Sequence, residues 1–379
     1  MTNCIHFPAC GGCTLQNLPY TDQLAQKQQT IESLFPSALP ILPCDDPWYY
    51  RNKMEFSFSQ NKAGEKFLGL ILRKSRGKVF HLHECLISPP WFSQMLAAVR
   101  SWWENSDIAA FHFHQGTGSL RTLTIREGRH TGQKMVMLTV SGDPRFALSK
   151  ASIDSFISAV GDPSISLFLR IQQCIPKQPT QFFEMHLGGP THIEEHLHLH
   201  DRVLRFKISP SSFFQPNTLQ AQKLYSAALR LAAPTSHMHI LDLYCGTATI
   251  GLTFAPYVAH VTGIELNPYA VFDAKENAVL NHISNFTIHR GDVGKLISTL
   301  PPPDLVIIDP PRPGLDNPAL EGLQALKPPQ ILYIACNPTT QSQKVAALTD
   351  YTIEAVQPVD QFPHTHHIEN IVHLRRNKI

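Results

Sequence analysis

Long apolar runs are missing from this chain of 379 residues. No uninterrupted stretch approaches the roughly 18 residues of a bilayer-spanning helix, and the opening Met1-Thr-Asn-Cys-Ile-His lacks the basic and apolar regions of a secretory signal. Both absences argue against a membrane protein and set the expectation of a cytoplasmic one. An excess of one charge is missing too: 32 Lys and Arg against 30 Asp and Glu leave +2, which announces no nucleic-acid partner by composition alone. Charged residues make up 16% and apolar residues 43%, so a disordered polyelectrolyte is excluded and a chain able to bury a core remains. No internal repeat and no low-complexity tract is present, and the length suits two or three domains of roughly 150 residues.

What is there is unevenly placed. Residues 51–80 carry eight cations (Arg51, Lys53, Lys62, Lys66, Arg73, Lys74, Arg76 and Lys78) against Glu55 and Glu65. Three of the eight cysteines, Cys4, Cys10 and Cys13, fall within ten residues as C-x5-C-x2-C. Clustered cysteines in a reducing compartment read as metal ligands before disulfides. With a fourth thiol, from Cys44 or Cys85, they suit zinc or an iron-sulfur cluster, and spacing alone does not choose.

Periodicity divides the chain. Residues 1–45 form a cysteine-rich arm with one amphipathic helix, Tyr20 to Phe35, whose apolar positions are Leu24, Ile31 and Leu34. Residues 46–206 turn to short alternating runs such as Met54-Glu-Phe-Ser-Phe58 and Met135-Val-Met-Leu-Thr-Val140, which predict a largely antiparallel sheet. Residues 207–379 begin with a helical stretch, Asn217 to Ala232, then alternate apolar strands with helical patterns. Strands are expected at 240–244, 261–266, 286–289, 305–308 and 331–334, with 352–356 paired to 368–374. This is the signature of a doubly wound, Rossmann-like α/β sheet.

In such a sheet, ligands gather at the carboxyl ends of the strands. The first strand ends in Asp242-Leu-Tyr-Cys-Gly246, where Gly246 permits a tight turn and close approach of backbone to a ligand. The second ends in Glu265, about where an acidic residue holds ribose hydroxyls. Because Gly-x-Gly-x-x-Gly is absent, a nucleoside without a pyrophosphate fits better, which points to S-adenosylmethionine. A plain structural turn at Gly246 and a solvated strand end at Glu265 fit these two residues as well. The fourth strand ends in Asp309-Pro-Pro-Arg312 and the fifth in Ala335-Cys336-Asn-Pro338. Asn337 as a cap with Pro338 at the first helical position puts the Cys336 thiol at a helix N-terminus, which predicts a lowered thiol pKa. Glu369 opens the last, antiparallel strand and so is expected on the same rim, as a general base. Cys174 and Cys245 read as buried, inert cysteines. His196, His198 and His200 alternate on one strand face, where an exposed edge strand explains them better than a metal.

Taken together, Ser212-Phe-Phe-Gln-Pro-Asn217, Asp242-Leu-Tyr-Cys-Gly246, Asp309-Pro-Pro-Arg312, Ala335-Cys-Asn-Pro338 and Phe362-Pro-His-Thr-His-His-Ile-Glu369 resemble the RNA uracil-C5 methyltransferase family in order and spacing. The resemblance implies that Gln215, Tyr244, Glu265 and Asp309 line the S-adenosylmethionine site around Gly246, with Asp292 near the adenine. It implies Cys336 as the nucleophile and Glu369 as the residue removing the final proton. The chemistry makes the same demand: uracil C5 becomes nucleophilic only after addition at C6, so one thiolate and one base suffice. RNA cytosine-C5 methyltransferases resemble this chemistry but carry a further cysteine after the fourth strand, where this chain has Arg312. A base flipped from its stack would need a receiving surface, for which Phe213, Phe214 and Phe362 are candidates.

The cysteine pattern is similar to that of the family's 23S ribosomal RNA branch. The similarity implies a [4Fe-4S] cluster on Cys4, Cys10, Cys13 and Cys85, stapling the arm to the β-rich central domain. Larger members carry a small β-barrel of the TRAM/OB type ahead of these cysteines, and the first cysteine here is residue 4. RNA contacts are therefore expected from the central domain, above all from the basic stretch 51–78. The protein is expected to act as a monomer without membrane contact. Two other readings are an amino-methyltransferase acting on nucleic acid, suggested by Asp309-Pro-Pro, and a non-catalytic, metal-stapled RNA-binding protein. Both leave Cys336 and Glu369 unused.

Overall fold

Helix α1 (Tyr20–Leu34) buries Gln23, Lys27 and Ile31. The sequence pattern picks an apolar stripe through Leu24, Ile31 and Leu34. The buried stripe is instead half polar, because residues more than 300 positions downstream supply partners for the polar groups. The computed structural model describes residues 4–175 and 177–377. They form two compact units: the described residues up to Asn17 with Asp46–Glu194, and Leu18–Asp45 with those from Glu195 onward. Among the described residues no helix is long and apolar enough to cross a membrane.

The first unit contains β1 (Lys53–Gln60), β2 (Lys66–Gly69), α2 (Pro90–Glu104), β3 (Leu120–Glu127), β4 (Lys134–Ser141), α3 (Lys150–Val160), β5 (Ser166–Gln173) and β6 (Gln181–Gly188). Its sheet runs β2-β1-β3-β4-β5-β6. Alternation in β1 sends Met54, Phe56 and Phe58 to the core, where they meet Phe92, Leu96 and Trp103 of α2. The expectation of an antiparallel sheet holds for every pair but one: β4 and β5 are parallel. A parallel pair needs a crossover, and α3 supplies it, packed on the core through Phe156 and Val160.

After β7 (Ile193–His198), whose first two residues belong to the first unit, the second unit contains β8 (Val203–Ile208), paired with β7 in a two-stranded sheet, then α4 (Thr218–Ala232), β9 (His239–Leu243), α5 (Thr249–Phe254), β10 (His260–Glu265), α6 (Pro268–Leu280) and β11 (Phe286–Arg290). After these come α7 (Val293–Leu296), β12 (Leu305–Ile308), α8 (Asn317–Leu326), β13 (Gln330–Ala335), α9 (Pro338–Ala346), β14 (Tyr351–Val359) and β15 (Glu369–Arg376). The seven-stranded sheet has the order β11-β10-β9-β12-β13-β15-β14. All its neighbours are parallel except β15, which is antiparallel to both β13 and β14. The chain moves outward from β9 to β11, then returns to β12 on the other side, so a crevice opens between the carboxyl ends of β9 and β12. The strands β12 and β13 are buried throughout, as expected for a sheet covered on both faces.

Candidate active site

At the carboxyl end of β9 the backbone turns sharply. Tyr244, Gly246 and Ala248 have φ of 60°, 56° and 63°. Only Gly246 adopts this left-handed region without a Cβ penalty, and the Cβ it lacks would face open space. Two non-glycine residues held this way store strain of the kind found at ligand clamps. Asp242, fully buried, seats the loop: its Oδ2 accepts from the Gly251 N–H at 2.9 Å, and a Cβ on Gly251 would fall 2.8 Å from that oxygen. Its Oδ1 and the Tyr244 hydroxyl are buried with no partner among the described residues. Burial, then the charge of Asp309, pushes Asp242 up to about 8. The motif Asp242-Leu-Tyr-Cys-Gly246 alone assigns Asp242 no role.

Glu265, at the end of β10, accepts from the Gly246 N–H at 3.0 Å through Oε2 and from the Asn267 N–H at 2.7 Å through Oε1. The two strand ends are thus laced together by a carboxylate. Asp292 caps α7, accepting from the Lys295 N–H at 3.2 Å, and its charge is felt by the Tyr244 hydroxyl. Gln215 is buried and accepts from Gln361 Nε2 at 3.4 Å. Of the aromatic candidates, Phe213 is 63% exposed, whereas Phe214 is core, packed on Phe206.

Asp309 follows β12 and is pushed up to about 7 by burial. Its charge reaches Asp242, Cys336 and Glu369, so it sits among them electrostatically. Cys336 follows β13, and the pairing of Ala335 with Asn370 brings it beside Glu369, the first residue of β15. Asn337 caps α9 as expected, with its side chain accepting from the Thr340 N–H at 3.3 Å. The predicted consequence does not follow: the Cys336 thiol is raised to about 11, not lowered. Burial is the largest cause, then Glu369 and Asp309, and together they outweigh the opposing Arg312. Glu369 itself, almost fully buried, is held well above the ordinary carboxylate range by burial and by Asp309.

A buried amide lock that no sequence motif announces ties this rim together. Gln341 of α9 donates to the Tyr333 carbonyl at 2.7 Å and accepts from Asn370 Nδ2 at 2.8 Å. The one local signal for it is an amide, Asn370, directly before the apolar pair Ile371-Val372 of β15.

In the first unit, Cys4, Cys10, Cys13 and Cys85 line one small cavity with apolar walls from Met54, Leu70 and Leu82. Burial, then the neighbouring thiols, raises Cys13 to about 12, and burial is the largest cause raising Cys10 to about 11. Among the described residues no group of three or more His, Cys, Asp or Glu is set to hold a metal ion. Cys44 lies elsewhere, 3.8 Å from Asn217 Nδ2. Cys245 is buried as expected, while Cys174 is exposed, because it sits just past the end of β5 rather than in the core. His196 and His198 stack with centroids 6.4 Å apart, and His200 lies beyond the end of β7.

The basic stretch is not a uniform solvated face. Lys66 Nζ donates to the carbonyls of Trp103 and Ser106, and Lys53 is pushed down to about 8 by burial and then by Arg126 and Arg170. Arg73, Lys74, Arg76 and Lys78 are exposed on one turn, and none is in a salt bridge among the described residues.

The strand order and the acidic crevice define an α/β methyltransferase fold. The comparisons are more specific. Residues 186–299 and 303–377 match the family tRNA (Uracil-5-)-methyltransferase. An uncharacterized RNA methyltransferase of Protochlamydia amoebophila is 49% identical over 98% of this chain and 90% of its own, and one of Chlamydia trachomatis is 39% identical over 99% and 98%. The crystal structure of the Pyrococcus abyssi tRNA (uracil-54, C5)-methyltransferase in complex with S-adenosyl-L-homocysteine aligns with 97% of this chain and 86% of its own, at a TM-score of 0.76 and 26% identity. The chain belongs to the tRNA (uracil-5-)-methyltransferase family.

Proposed function

We propose that this protein methylates C5 of a uracil in RNA, with Cys336 as nucleophile and Glu369 as the base. The observation that carries the reading is the convergence of a half-buried thiol, the buried Glu369 carboxyl and the partly buried Asp309 carboxyl on one rim of the sheet. The substrate named for the Pyrococcus abyssi relative supports it. S-adenosylmethionine, when bound, supplies the methyl group. The crevice fits that donor in kind: an open approach at Gly246, orphaned polar atoms on Asp242 and Tyr244, and carboxylates at the ends of β10 and β12. Gln215, Tyr244, Gly246, Glu265, Asp292 and Asp309 are the residues that would hold it.

The steps balance on the chain's own groups. The Cys336 thiol gives up its proton to solvent, and the thiolate adds to C6, sending the electron pair of the C5–C6 double bond toward the C4 carbonyl. C5 then takes the methyl group. Glu369 removes the remaining C5 proton, the C5–C6 double bond re-forms, and the thiolate leaves. A carboxyl held above its ordinary range is a stronger base once ionised.

The acceptor proposed is 23S ribosomal RNA, on the strength of the four cysteines and their resemblance to that branch; a transfer RNA is favoured instead by the substrate of the Pyrococcus abyssi relative. The four thiols, facing one apolar cavity, fit a [4Fe-4S] cluster in donor type, because buried thiolates need a cationic partner. They would tether the residues up to Asn17 to the sheet of the first unit, which we assign to RNA binding through Arg73, Lys74, Arg76 and Lys78.

Each catalytic residue acts at its own step, and a denaturing gel separates them. With target RNA and S-adenosylmethionine, Cys336→Ala forms no covalent species, while Glu369→Gln accumulates a denaturant-resistant adduct of protein and RNA. An adduct with the Cys336 variant, or full turnover by the Glu369 variant, refutes the mechanism. Mapping 5-methyluridine in ribosomal and transfer RNA, with and without the protein, decides the acceptor.

A further inference from the structure

The segment joining β14 to β15, residues 360–368, ends at Glu369, and helix α1 holds it. Asp360 is fully buried and takes two hydrogen bonds from that helix: Lys27 Nζ donates to Oδ1 at 2.5 Å and the Tyr20 hydroxyl to Oδ2 at 2.7 Å. Lys27 Nζ also donates to the Phe362 carbonyl at 3.1 Å. Gln23 grips the segment's middle: its Oε1 accepts from the His364 N–H at 2.9 Å, and its Nε2 lies 3.1 Å from His364 Nδ1. Tyr20, Gln23 and Lys27 are spaced three and four apart, so they share one face of the helix. On the segment's other side, Gln361 Nε2 donates to Gln215 Oε1 at 3.4 Å and to the Asn217 carbonyl at 3.1 Å.

This arrangement is costly to keep. A lysine and an aspartate with side chains 3% and 0% exposed gain from each other only when geometry is good and the remaining donors and acceptors are filled. Tyr20 and the Phe362 carbonyl fill them. Core packing alone does not explain a fully desolvated pair clamping a segment of nine residues. The place where that segment ends does.

We propose that Tyr20, Gln23 and Lys27 are positioning residues for the base Glu369, acting through Asp360 and His364. This rests on the functional reading above. Glu369 must reach the C5 proton after the methyl group has arrived, and a misplacement of about 1 Å at such a step can cost about 100-fold. The addition at C6 depends on Cys336, which is carried by β13 and α9 instead. Loosening the clamp therefore slows release more than addition.

The test is single- and multiple-turnover methylation by the full-length protein, with labelled methyl donor and a denaturing gel. Lys27→Met, Gln23→Leu and Tyr20→Phe are compared with wild type after thermal melting has shown each to be folded. The expected result is first-turnover transfer within about threefold of wild type, steady turnover down about tenfold or more, and a methylated covalent adduct that persists. Where Lys27→Met fails to fold, the other two, which leave the ion pair intact, carry the test. Folded variants that turn over like wild type, or that lose first-turnover transfer without an adduct, overturn the proposal. If Glu369→Gln traps an adduct and the helix variants do not, the positioning role alone falls. If Glu369→Gln traps none, the base assignment falls and takes the positioning role with it.

Discussion

Replacing Arg312 by Gln should make Cys336 less reactive in the free protein. The thiol stands at about 11, so about one molecule in ten thousand carries the thiolate at pH 7. Arg312 is the charge that opposes Glu369 and Asp309 at this thiol. Its guanidinium is exposed, so solvent screens it, and its loss should lower the thiolate population about three- to tenfold rather than more. The assay is alkylation by iodoacetamide between pH 7 and 10, with the Cys336 peptide quantified by mass spectrometry to separate it from the other cysteines. Wild type should react about ten times faster per pH unit with no plateau in that range, because the thiolate fraction rises tenfold per unit below the midpoint. Arg312→Gln should run parallel and lower, and added salt should narrow the gap. Glu369→Gln should run above wild type wherever Glu369 would have been ionised, since its charge holds the thiol up. A wild-type plateau near pH 7, or an Arg312 variant that matches wild type throughout, refutes the electrostatic reading of this rim.

Protein prepared without oxygen should be brown with about four irons per chain, and Cys10→Ser or Cys13→Ser should lose the colour; zinc without iron refutes the cluster. Replacing Arg73, Lys74, Arg76 and Lys78 together by Gln should weaken RNA binding and flatten its salt dependence, and an unchanged slope makes them ordinary surface. Asp242 keeps its proton to about 8 when folded and to about 4 when unfolded, so between those values the unfolded chain alone is ionised and stability falls as pH rises. Asp242→Asn retains an acceptor for Gly251 without that loss, so its stability relative to wild type should grow by on the order of a few kcal/mol from pH 5 to pH 8. Urea unfolding at the two values checks it, and a pH-independent difference refutes it.

Where local pattern and long-range packing agree, the sequence was a sufficient guide. The seven strands of the larger sheet in the second unit lie within a few residues of their predicted places, because buried strands read as apolar runs bounded by turn residues. The hairpin of β14 and β15 followed from the same pattern, and with it the meeting of Glu369 and Cys336. The failures share a cause. The parallel pairing of β4 and β5 depends on α3 crossing between them, which alternation in either strand does not encode. Lys27 and Gln23 looked like solvent positions because their partners, Asp360 and His364, are more than 330 residues away. The Cys336 thiol was misjudged because a helix terminus is visible in three residues, whereas burial and two carboxyls from other strands are not.

The rim also shows why a raised thiol and raised acids belong together. Cys336, Glu369 and Asp309 all hold protons more tightly than in water, and burial is the largest cause for each. The free site therefore disfavours negative charge, and a thiol raised to about 11 holds little of the thiolate that oxidants and metals attack. Ionising any one of the three raises the cost of ionising the others, so two negative charges are not held there at once without a cation. In the proposed mechanism, addition at C6 turns the thiolate into a neutral thioether and moves its charge onto the uracil ring, so the sulfur no longer opposes the ionisation of Glu369. The order in that mechanism, addition first and proton removal second, is set by C5, which becomes nucleophilic only after C6 is attacked.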